Sequence, residues 1–339
     1  MRLCRGERNS SLYYIEETHY SERMIANMSK ASALVDVSKK RVNPFKELWT
    51  NKFLYLLALP AVVYTFIFSY LTLPYIVIAF EKFSYKTGVF SPFVGLKNFE
   101  YFFKSSWAWT VTRNTLVINI LFLIVGTVCS VVLAIVLNEV KAKKFLKVSQ
   151  SMMLFPYFIS WVILSGMILD IFSLDGVVNQ ILGNFGVNPI FFMGDKKPFL
   201  GLLIGTDVWK NFGYGTVVYL AAITGVDESL YESAKIDGAS RWKQILYITL
   251  PSIAPIVMLM MILNLGNILN AGFEQVFTLY SPRVYETADI IDTFVYRISL
   301  VEANYSLGTA VGLLKSVVSF LLIVSSYKLA NKYSDYTIF

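Results

Sequence analysis

The stretch Tyr231–Pro251, "YESAKIDGASRWKQILYITLP", decides how this chain is organised. It lies between two long apolar segments and carries five charged side chains: Glu232, Lys235, Asp237, Arg241 and Lys243. Because charged groups are costly inside lipid, we expect this stretch to lie outside the apolar part of the protein. Its regular spacing of small, charged and apolar residues also predicts an ordered element rather than a random loop.

The composition of the whole chain predicts a membrane protein. Of 339 residues, 55% are hydrophobic and 16% are charged, and the mean hydropathy is +0.56. Soluble domains usually contain about 25% charged residues, so this chain is poor in charge. In a membrane protein, an excess of lysine and arginine such as this net charge of +7 mostly indicates which loops lie on the cytoplasmic side. The basic residues form no long run, so nucleic-acid binding is not favoured.

Six apolar segments are long enough to cross a membrane, which needs about 20 residues of helix. Each must be helical, because lipid offers backbone groups no other partner. The sequence therefore predicts an all-α, polytopic protein with six transmembrane helices. Pro60, Pro74 and Pro156 fall inside spans, where they predict kinks. The predicted spans are residues 53–80, 114–138, 145–173, 199–224, 251–280 and 306–330.

Lysine and arginine residues predict the orientation of these spans. Residues 1–52 contain ten of them, and the link "EVKAKKFLK" after the second span adds four lysines. We therefore expect both termini and the loop 227–251 to be cytoplasmic. Residues 1–45 read as a disordered tail and residues 46–335 as the membrane domain, and the start of translation stays open between Met1, Met24 and Met28. Lysines after the first span oppose this orientation, but "FVGLKNFEYFFKSSWAWTV" has the pattern of an interfacial helix.

Sites for metal, nucleophilic or phosphate chemistry are not apparent. Cys4 and Cys129 lie far apart and His19 is the single histidine, so no metal-ligand pattern is present. The glycines and Lys315 of "GTAVGLLKS" are wrongly spaced for a phosphate-binding loop. We expect a chain that is not an enzyme, holds no metal and binds no cofactor of its own.

The local pattern of residues 227–251 predicts two short helices joined by a hinge. Asp227 and Glu228 suit a helix N-terminus, and the pair Asp237-Gly238 suits a turn in which glycine takes positive φ. A helical stripe of period i, i+3, i+4 follows at Trp242, Ile245, Leu246, Thr249 and Leu250. Two interpretations are open: a helical hairpin lying on lipid, or a rigid projection for a cytoplasmic partner.

The stretch "ESAKIDGASRWKQILYITLPSIAP" closely resembles the EAA motif of ABC importer permeases, roughly EAAxxDGAxxxxxFxxxxLPxxxP. Ser233 and Ile245 depart from that pattern. "VGLKNFEYFF" resembles the carbohydrate-uptake branch, and residues 266–300 resemble permeases for polysaccharides and complex oligosaccharides. The residues that match the motif are Glu232, Ala234, Asp237, Gly238, Ala239, Leu250, Pro251 and Pro255.

This resemblance implies the type I ABC importer permease fold and a non-catalytic permease subunit of a bacterial cell membrane. The implied partners are a second permease, two ATP-binding subunits that carry ATP and Mg²⁺, an extracellular solute-binding protein and a saccharide. The loop would then be the coupling helix that docks into an ATP-binding subunit. The implied coupling residues are Glu232, Ser233, Ala234, Asp237, Gly238, Ala239, Arg241 and Pro251. Arg241 and Lys243 could pair with acids on that subunit.

Polar residues inside the spans are candidates for a substrate path, because such residues tend to face a cavity or another helix. Asp207 and Lys210 could pair at i, i+3, and Asn264 to Glu274 would share one continuous helix face. The alternative role is hydrogen bonding between helices. The predicted path residues are Trp161, Asp207, Trp209, Asn211, Tyr214, Tyr219, Asn264, Asn267, Asn270, Glu274 and Gln275.

Two other classes compete with the importer interpretation. An ion-coupled secondary transporter would show inverted repeats, and a membrane-embedded enzyme would show a catalytic motif; we find neither. The sequence does not name the saccharide, its length, the ATP-binding subunit, or which permease of a pair would hold the substrate.

Overall fold

In a computed structural model, the chain is described at Trp49 and at residues 51–88, 90–270 and 272–333. Helices dominate these residues, and only two isolated β-bridges, Glu81 to Phe93 and Ser84 to Gly88, occur among them. The protein is therefore mostly helical, as predicted. The predicted disordered tail, residues 1–45, lies outside the described residues.

The chain divides into two units, and the first ends at Leu73. Its described part consists of helix α1, Lys52–Thr65, followed by a π-helical turn, Phe66–Tyr70. Every side chain from residue 52 to residue 73 is exposed, although almost all of them are apolar. A helix that is apolar all round is suited to lipid or to another protein surface.

The second unit, Pro74–Phe339, contains the remaining helices. Two of its long helices, α3 (Ser106–Asn138) and α7 (Lys196–Thr224), pack along each other. The helices are α2 Lys97–Lys104, α3 Ser106–Asn138, α4 Lys143–Leu154, α5 Trp161–Ile171, α6 Val177–Asn184, α7 Lys196–Thr224, α8 Glu228–Ile236, α9 Arg241–Gln244, α10 Leu250–Leu265, α11 Phe273–Leu279, α12 Tyr285–Ala288, α13 Ile291–Tyr296 and α14 Tyr305–Tyr333.

Among the described residues, four helical segments are long and apolar enough to cross a membrane: Lys52–Phe80, Ser106–Asn138, Arg241–Leu265 and Tyr305–Lys328. A fifth is possible if the bent pair Lys143–Phe158 and Trp161–Ile171 forms one span. Helix α7 covers the predicted span 199–224 and has 29 residues, but it is not apolar enough to count with them. By length and composition the structure thus supports four to five spans.

Two predicted spans are not continuous helices. The predicted span 145–173 bends by 97° between α4 and α5, next to the short 3-10 helix Phe155–Phe158 that contains Pro156. The predicted span 251–280 ends as a helix at Leu265, and α11 begins only at Phe273. Gly272 adopts a left-handed conformation with φ of 30°, which an ordinary helix does not contain. The predicted continuous helix face from Asn264 to Glu274 was therefore wrong.

A close contact joins α7 to the C-terminal end of α4. A Cβ atom built on Gly213 would lie 2.0 Å from the carbonyl oxygen of Met153 and 2.5 Å from its carbonyl carbon. Both atoms belong to the backbone, so a side-chain rotation cannot relieve the contact. Glycine is therefore the residue that permits this approach.

The segment between α11 and α14 is fastened to α3 by buried polar groups. Asn114 donates through Nδ2 to the carbonyl oxygens of Glu286 at 3.2 Å and Asp289 at 3.1 Å. The fully buried Asp289 carboxylate accepts from Arg297 Nη2 at 2.6 Å. The guanidinium of Arg297 also lies 4.5 Å from the ring centre of Tyr285. These contacts give the segment a fixed place against α3.

Candidate functional site

The loop 227–251 forms the predicted pair of short helices joined at a glycine. Asp227 caps α8 by accepting a hydrogen bond from the Ser229 amide at 2.9 Å, and this bond lowers the pKa of the Asp227 carboxyl. Gly238 follows α8 with φ of 74°, a left-handed conformation that favours glycine. The amide of Ala239 donates to the Ala234 carbonyl oxygen at 2.8 Å and closes the turn.

The predicted docking residues lie on the surface of this hairpin. Glu232, Ser233, Asp237 and Gly238 are exposed, whereas Ala234 and Ala239 are half-buried beneath them. A Cβ atom on Gly238 would meet nothing within 4 Å, so the turn presents an open face. Pro251 is exposed in the first turn of α10. Most of the predicted docking residues are thus exposed in this structure.

Two contacts hold the hairpin together, and a third joins it to the residue that follows α3. The hydroxyl groups of Tyr231 and Thr249 lie 2.9 Å apart, and the buried Gln244 donates through Nε2 to the Ala239 carbonyl oxygen at 3.0 Å. Arg241 lies 3.5 Å from the carboxylate of Glu139, which follows α3. Arg241 therefore has an acidic partner within its own chain. The Arg241–Glu139 pair could not be predicted from the sequence, because Glu139 lies about 100 residues before Arg241.

The predicted apolar stripe after the hinge is only partly buried. Thr249 is buried and Ile245 and Leu250 are half-buried, but Trp242 is 74% exposed. Ile236, at the end of α8, is 87% exposed. The hairpin therefore presents apolar as well as charged groups to its surroundings.

A cavity of about 360 Å³ lies between α3, α7, α10 and the helix break at residues 266–272. Amide side chains dominate its polar lining, and aromatic rings and hydroxyl groups complete it. The polar and aromatic lining residues are Asn119, Phe122, Thr127, Ser130, Asp207, Asn211, Phe212, Tyr214, Tyr219, Asn264, Asn267 and Asn270.

Most of the predicted path residues meet at this cavity. Asp207, Asn211, Tyr214 and Tyr219 come from α7, and Asn264, Asn267 and Asn270 come from the end of α10 and the break that follows. The break thus brings the asparagines to the cavity although they share no helix. Asn119, Thr127 and Ser130 of α3 were missed, because α3 reads as a uniformly apolar span. The available signal was that these polar residues interrupt an otherwise apolar helix.

Four predicted path residues lie elsewhere. Gln275 is fully buried and donates to the Leu203 carbonyl oxygen at 2.8 Å and to Thr206 at 2.9 Å, so it joins α11 to α7. Trp161 packs against the buried cluster formed by α5, α7 and α11. The other two are Trp209, which faces an apolar pocket between α5 and α7, and Glu274, which is exposed on α11.

The predicted pairing of Asp207 with Lys210 was also wrong. The buried Lys210 donates through Nζ to the carbonyl oxygens of Tyr157 at 2.7 Å, Ile159 at 2.6 Å and Pro156 at 3.2 Å. These carbonyls lie at the break between α4 and α5, where helical hydrogen bonds are missing. Asp207 instead accepts from the Asn211 amide at 2.8 Å.

The lysine also fixes an aromatic pair near the cavity. Tyr157, whose carbonyl oxygen binds Lys210, has its ring 5.4 Å from the ring of Tyr214, with 16° between the planes. Tyr214 itself lines the cavity. Lys210 thus supports one wall of the cavity without entering it.

Within the described part of the chain, no group of three or more His, Cys, Asp or Glu side chains is placed to hold a metal ion. The polar groups of the cavity are suited to hydrogen bonding with a solute rather than to metal ligation.

A cavity lined by amides beside long apolar helices is the arrangement expected of a multi-pass membrane transport component. Residues 126–334, more than half of the chain, match the sequence model of the family described as "Binding-protein-dependent transport system inner membrane component". The chain belongs to this family. This match confirms the family that the EAA-like stretch of the chain predicted.

Two relatives from Bacillus subtilis (strain 168) are similar over nearly their whole length. The polygalacturonan/rhamnogalacturonan transport system permease protein YteP is 36% identical over 312 residues, which cover 91% of this chain and 97% of YteP. Protein LplB is 35% identical over 312 residues, covering 91% of this chain and 98% of LplB.

Two solved structures share the fold. A chain of a bacterial ABC transporter involved in the import of the acidic polysaccharide alginate has a TM-score of 0.77 and 34% identity, covering 86% of this chain and all of that chain. A bacterial alginate ABC transporter in complex with an alginate pentasaccharide-bound periplasmic protein gives a TM-score of 0.75 and 34% identity, covering 85% of this chain and 97% of that chain. These two structural matches support the type I importer permease fold that the resemblance predicted.

Proposed function

We propose that this chain is the permease subunit of an ATP-driven importer and forms a membrane path for a saccharide delivered by an extracellular solute-binding protein. The observation that carries the proposal is the exposed hairpin, with Glu232, Ser233, Asp237 and Gly238 on its open face. The sugar-transport permeases and alginate importers that the chain resembles support the choice of a saccharide. An oligosaccharide or a polysaccharide would fit this proposal.

The proposed topology has six spans with both termini in the cytoplasm of a bacterial cell. Helix α7 would be the remaining span. It is not apolar enough to be recognised as a span by composition, because it contains polar residues. Asp207, Asn211 and Tyr214 line the cavity, and Lys210 binds backbone carbonyls. Because these groups face protein or a cavity rather than lipid, α7 can cross the membrane despite them.

Coupling to ATP hydrolysis would act through the hairpin. The chain binds no cofactor in this proposal; ATP and Mg²⁺ belong to two partner ATP-binding subunits. The hairpin continues directly into α10 at Leu250, and the Arg241–Glu139 pair links it to the residue that follows α3. A displacement of the hairpin would therefore move both helices, and these helices carry walls of the cavity.

Saccharide passage requires many weak polar contacts that can be exchanged. Asparagine amides both donate and accept hydrogen bonds, which matches sugar hydroxyl groups. The rings of Phe122, Phe212 and Tyr214 offer apolar faces to the C–H surfaces of a sugar. A second permease would supply the opposing wall of the path.

The test compares two charge reversals on the assembled transporter. Glu232→Lys changes the hairpin face, and the matched control Glu302→Lys changes an exposed residue between the predicted spans 251–280 and 306–330, on the opposite side of the membrane in the proposed topology. Both variants are co-purified with the ATP-binding subunits and assayed for saccharide-stimulated ATP hydrolysis in nanodiscs. We expect Glu232→Lys to weaken recovery of the ATP-binding subunit or its stimulation at least tenfold, and Glu302→Lys to leave both unchanged, because reversing the charge of a docked side chain removes the polar contacts that it makes with the partner.

Equal behaviour of the two variants would contradict the docking role of the hairpin. A wild-type chain that recruits no ATP-binding subunit, but moves saccharide with a proton or sodium gradient, would favour the ion-coupled secondary transporter instead.

A further inference from the structure

We infer that the break between α4 and α5 is a binding site for a monovalent cation, and that the ammonium group of Lys210 is the cation that fills it. Lys210 belongs to α7 and is buried. Its Nζ atom reaches across to backbone carbonyl oxygens of the break. The inference concerns this chain alone and holds whatever solute it carries, so it stands or falls separately from the proposed function.

The bent backbone supplies the oxygen ligands. The helical segments Lys143–Phe158 and Trp161–Ile171 meet at an angle of 97°. Carbonyl oxygens near such a helix end lack the amide partners that a continuous helix would give them. Those of Pro156, Tyr157 and Ile159 lie 3.2, 2.7 and 2.6 Å from Lys210 Nζ. Because carbonyl oxygens only accept hydrogen bonds, a nitrogen that contacts three of them has to bring three protons, and Lys210 is therefore an ammonium ion.

Two aromatic rings complete the surroundings of this cation. The Nζ atom lies 5.7 Å from the ring centre of Tyr157 and 5.6 Å from that of Trp161. The faces of such rings attract a cation, most strongly when it has lost its water. Carbonyl oxygens replace the hydration shell of K⁺ in the same way in ion channels. The break thus offers a dehydrated monovalent cation both kinds of favourable contact.

The distances and the ligand type favour K⁺ or NH₄⁺ over divalent ions. The contacts of 2.6–3.2 Å are wider than those of Mg²⁺, at about 2.0–2.1 Å, and most are wider than those of Ca²⁺, at about 2.3–2.6 Å. Both divalent ions are usually held by carboxylates as well. All three ligands here are uncharged carbonyl oxygens, which suffice for a large monovalent cation.

A similar arrangement holds transported ions in another class of membrane protein. In ion-coupled transporters, backbone carbonyls of broken helices coordinate the coupling ion near the middle of the membrane. Here the cation is covalently attached to α7, so it can neither leave with a solute nor exchange with the medium. The break is therefore stabilised by a cation that the protein carries itself, and it needs no ion from solution.

The attached cation positions one wall of the cavity. The ring of Tyr157 lies 5.4 Å from that of Tyr214, which lines the cavity. Gly213, about one helical turn after Lys210, lets α7 approach the backbone of Met153 at the end of α4. Lys210 and Gly213 thus fasten the same part of α7 to the bend. Loss of the cation should loosen the bend and release Tyr157.

Replacing the attached ammonium with a soluble cation tests the inference. Lys210→Ala removes the side chain and leaves the carbonyl oxygens in place, whereas the matched control Lys210→Met fills the same space with an apolar chain. The full-length chain is purified in KCl and transferred to choline, sodium, potassium or ammonium chloride at equal ionic strength. Tryptophan fluorescence gives the apparent Tm, and radioactive Rb⁺, which stands in for K⁺, gives direct binding.

We expect about 100 mM K⁺ or NH₄⁺ to raise the apparent Tm of Lys210→Ala by about 2–4 °C over choline, because a ligand that binds the folded state alone stabilises it by mass action. Rb⁺ should bind to this variant saturably. The wild type, which carries its own cation, and Lys210→Met should show neither effect. A double variant of Lys210→Ala and Asp207→Asn should keep both effects, because the ligands are carbonyl oxygens rather than the Asp207 carboxyl group.

The inference is overturned if K⁺ and NH₄⁺ change the Tm of Lys210→Ala no more than that of Lys210→Met, because Lys210 would then be only a hydrogen-bond donor at a helix end. Loss of the cation effect in the double variant would also overturn it, because the cation would then pair with Asp207. If Lys210→Ala cannot be purified, Lys210→Ser leaves nearly the same space and takes its place. Failure of both to give folded protein in K⁺ and in NH₄⁺ would likewise contradict the inference, because neither cation would have replaced the lysine.

Discussion

Replacing Gly213 with alanine tests the close approach between α7 and the end of α4. A Cβ atom at this position would lie 2.0 Å from the Met153 carbonyl oxygen, whereas ordinary contacts of this kind begin at about 3.4 Å. The colliding atom is backbone, so α7 and the end of α4 must move apart. Gly205, on the same helix, is the matched control, because its Cβ would meet nothing within 4 Å.

The expected energies differ in sign. Overpacking a well-packed region costs about 1–3 kcal/mol of stability. We expect a cost toward the upper end of this range, because the Met153 carbonyl oxygen cannot move aside by rotating a side chain. Alanine gains up to about 1 kcal/mol over glycine as a helix former. We therefore expect Gly213→Ala to destabilise by about 2 kcal/mol and Gly205→Ala to be neutral or stabilising by up to about 1 kcal/mol.

Thermal unfolding of the purified protein in detergent, followed by tryptophan fluorescence, measures this difference. The apparent Tm of Gly213→Ala should fall by about 4 °C or more, and that of Gly205→Ala should stay level or rise. The same scan rate must be used for both variants, because unfolding of such proteins is often irreversible. Two alanine variants with the same Tm would refute the close approach.

Three further variants test polar contacts. Lys210→Met removes three charge-assisted hydrogen bonds at the α4–α5 break and should destabilise by about 2–4 kcal/mol, measured as a lower apparent Tm. Arg297→Met leaves the buried Asp289 carboxylate without its partner and should cost about 3–5 kcal/mol, whereas a double variant that also carries Asp289→Asn should recover much of the loss in the same assay. Asp227→Ala removes the N-cap of α8 and should cost the hairpin about 1 kcal/mol, read as faster hydrogen exchange of the first α8 amides with an unchanged global Tm.

The hairpin could be predicted from sequence because its determinants are local. Asp227 caps the helix it precedes, and Gly238 takes the positive φ expected of a hinge glycine. The motif around Glu232 also identified the family, which the comparison of residues 126–334 confirms. The docking role of the hairpin stays a prediction.

The helix breaks and the cavity could be predicted only in part. The predicted span 251–280 contains Gly266, Gly272 and three asparagines, which the prediction placed on one polar helix face, so the end of α10 at Leu265 was missed although these glycines were a signal for it. The spacing of Asp207 and Lys210 along a helix predicted that they pair. Lys210 instead donates to carbonyl oxygens that lie about 50 residues earlier in the chain. The side chain of Gln275 likewise donates a hydrogen bond to α7 instead of lining the cavity. Partners distant in sequence decided the last two outcomes.

In the proposed six-span topology the helix break after Leu265 lies at membrane depth, which has a consequence for electrical insulation. Backbone that leaves the helix at membrane depth is tolerated only where protein covers it or where it borders water. The asparagines of the break face the cavity, so this part of the chain belongs beside water rather than beside lipid tails. A membrane must nevertheless hold its ion gradients while such a wet recess exists within it. The seal against ion leakage therefore has to be completed by surfaces outside this recess, and a chain inserted without its partners would be expected to make the membrane leakier to small ions.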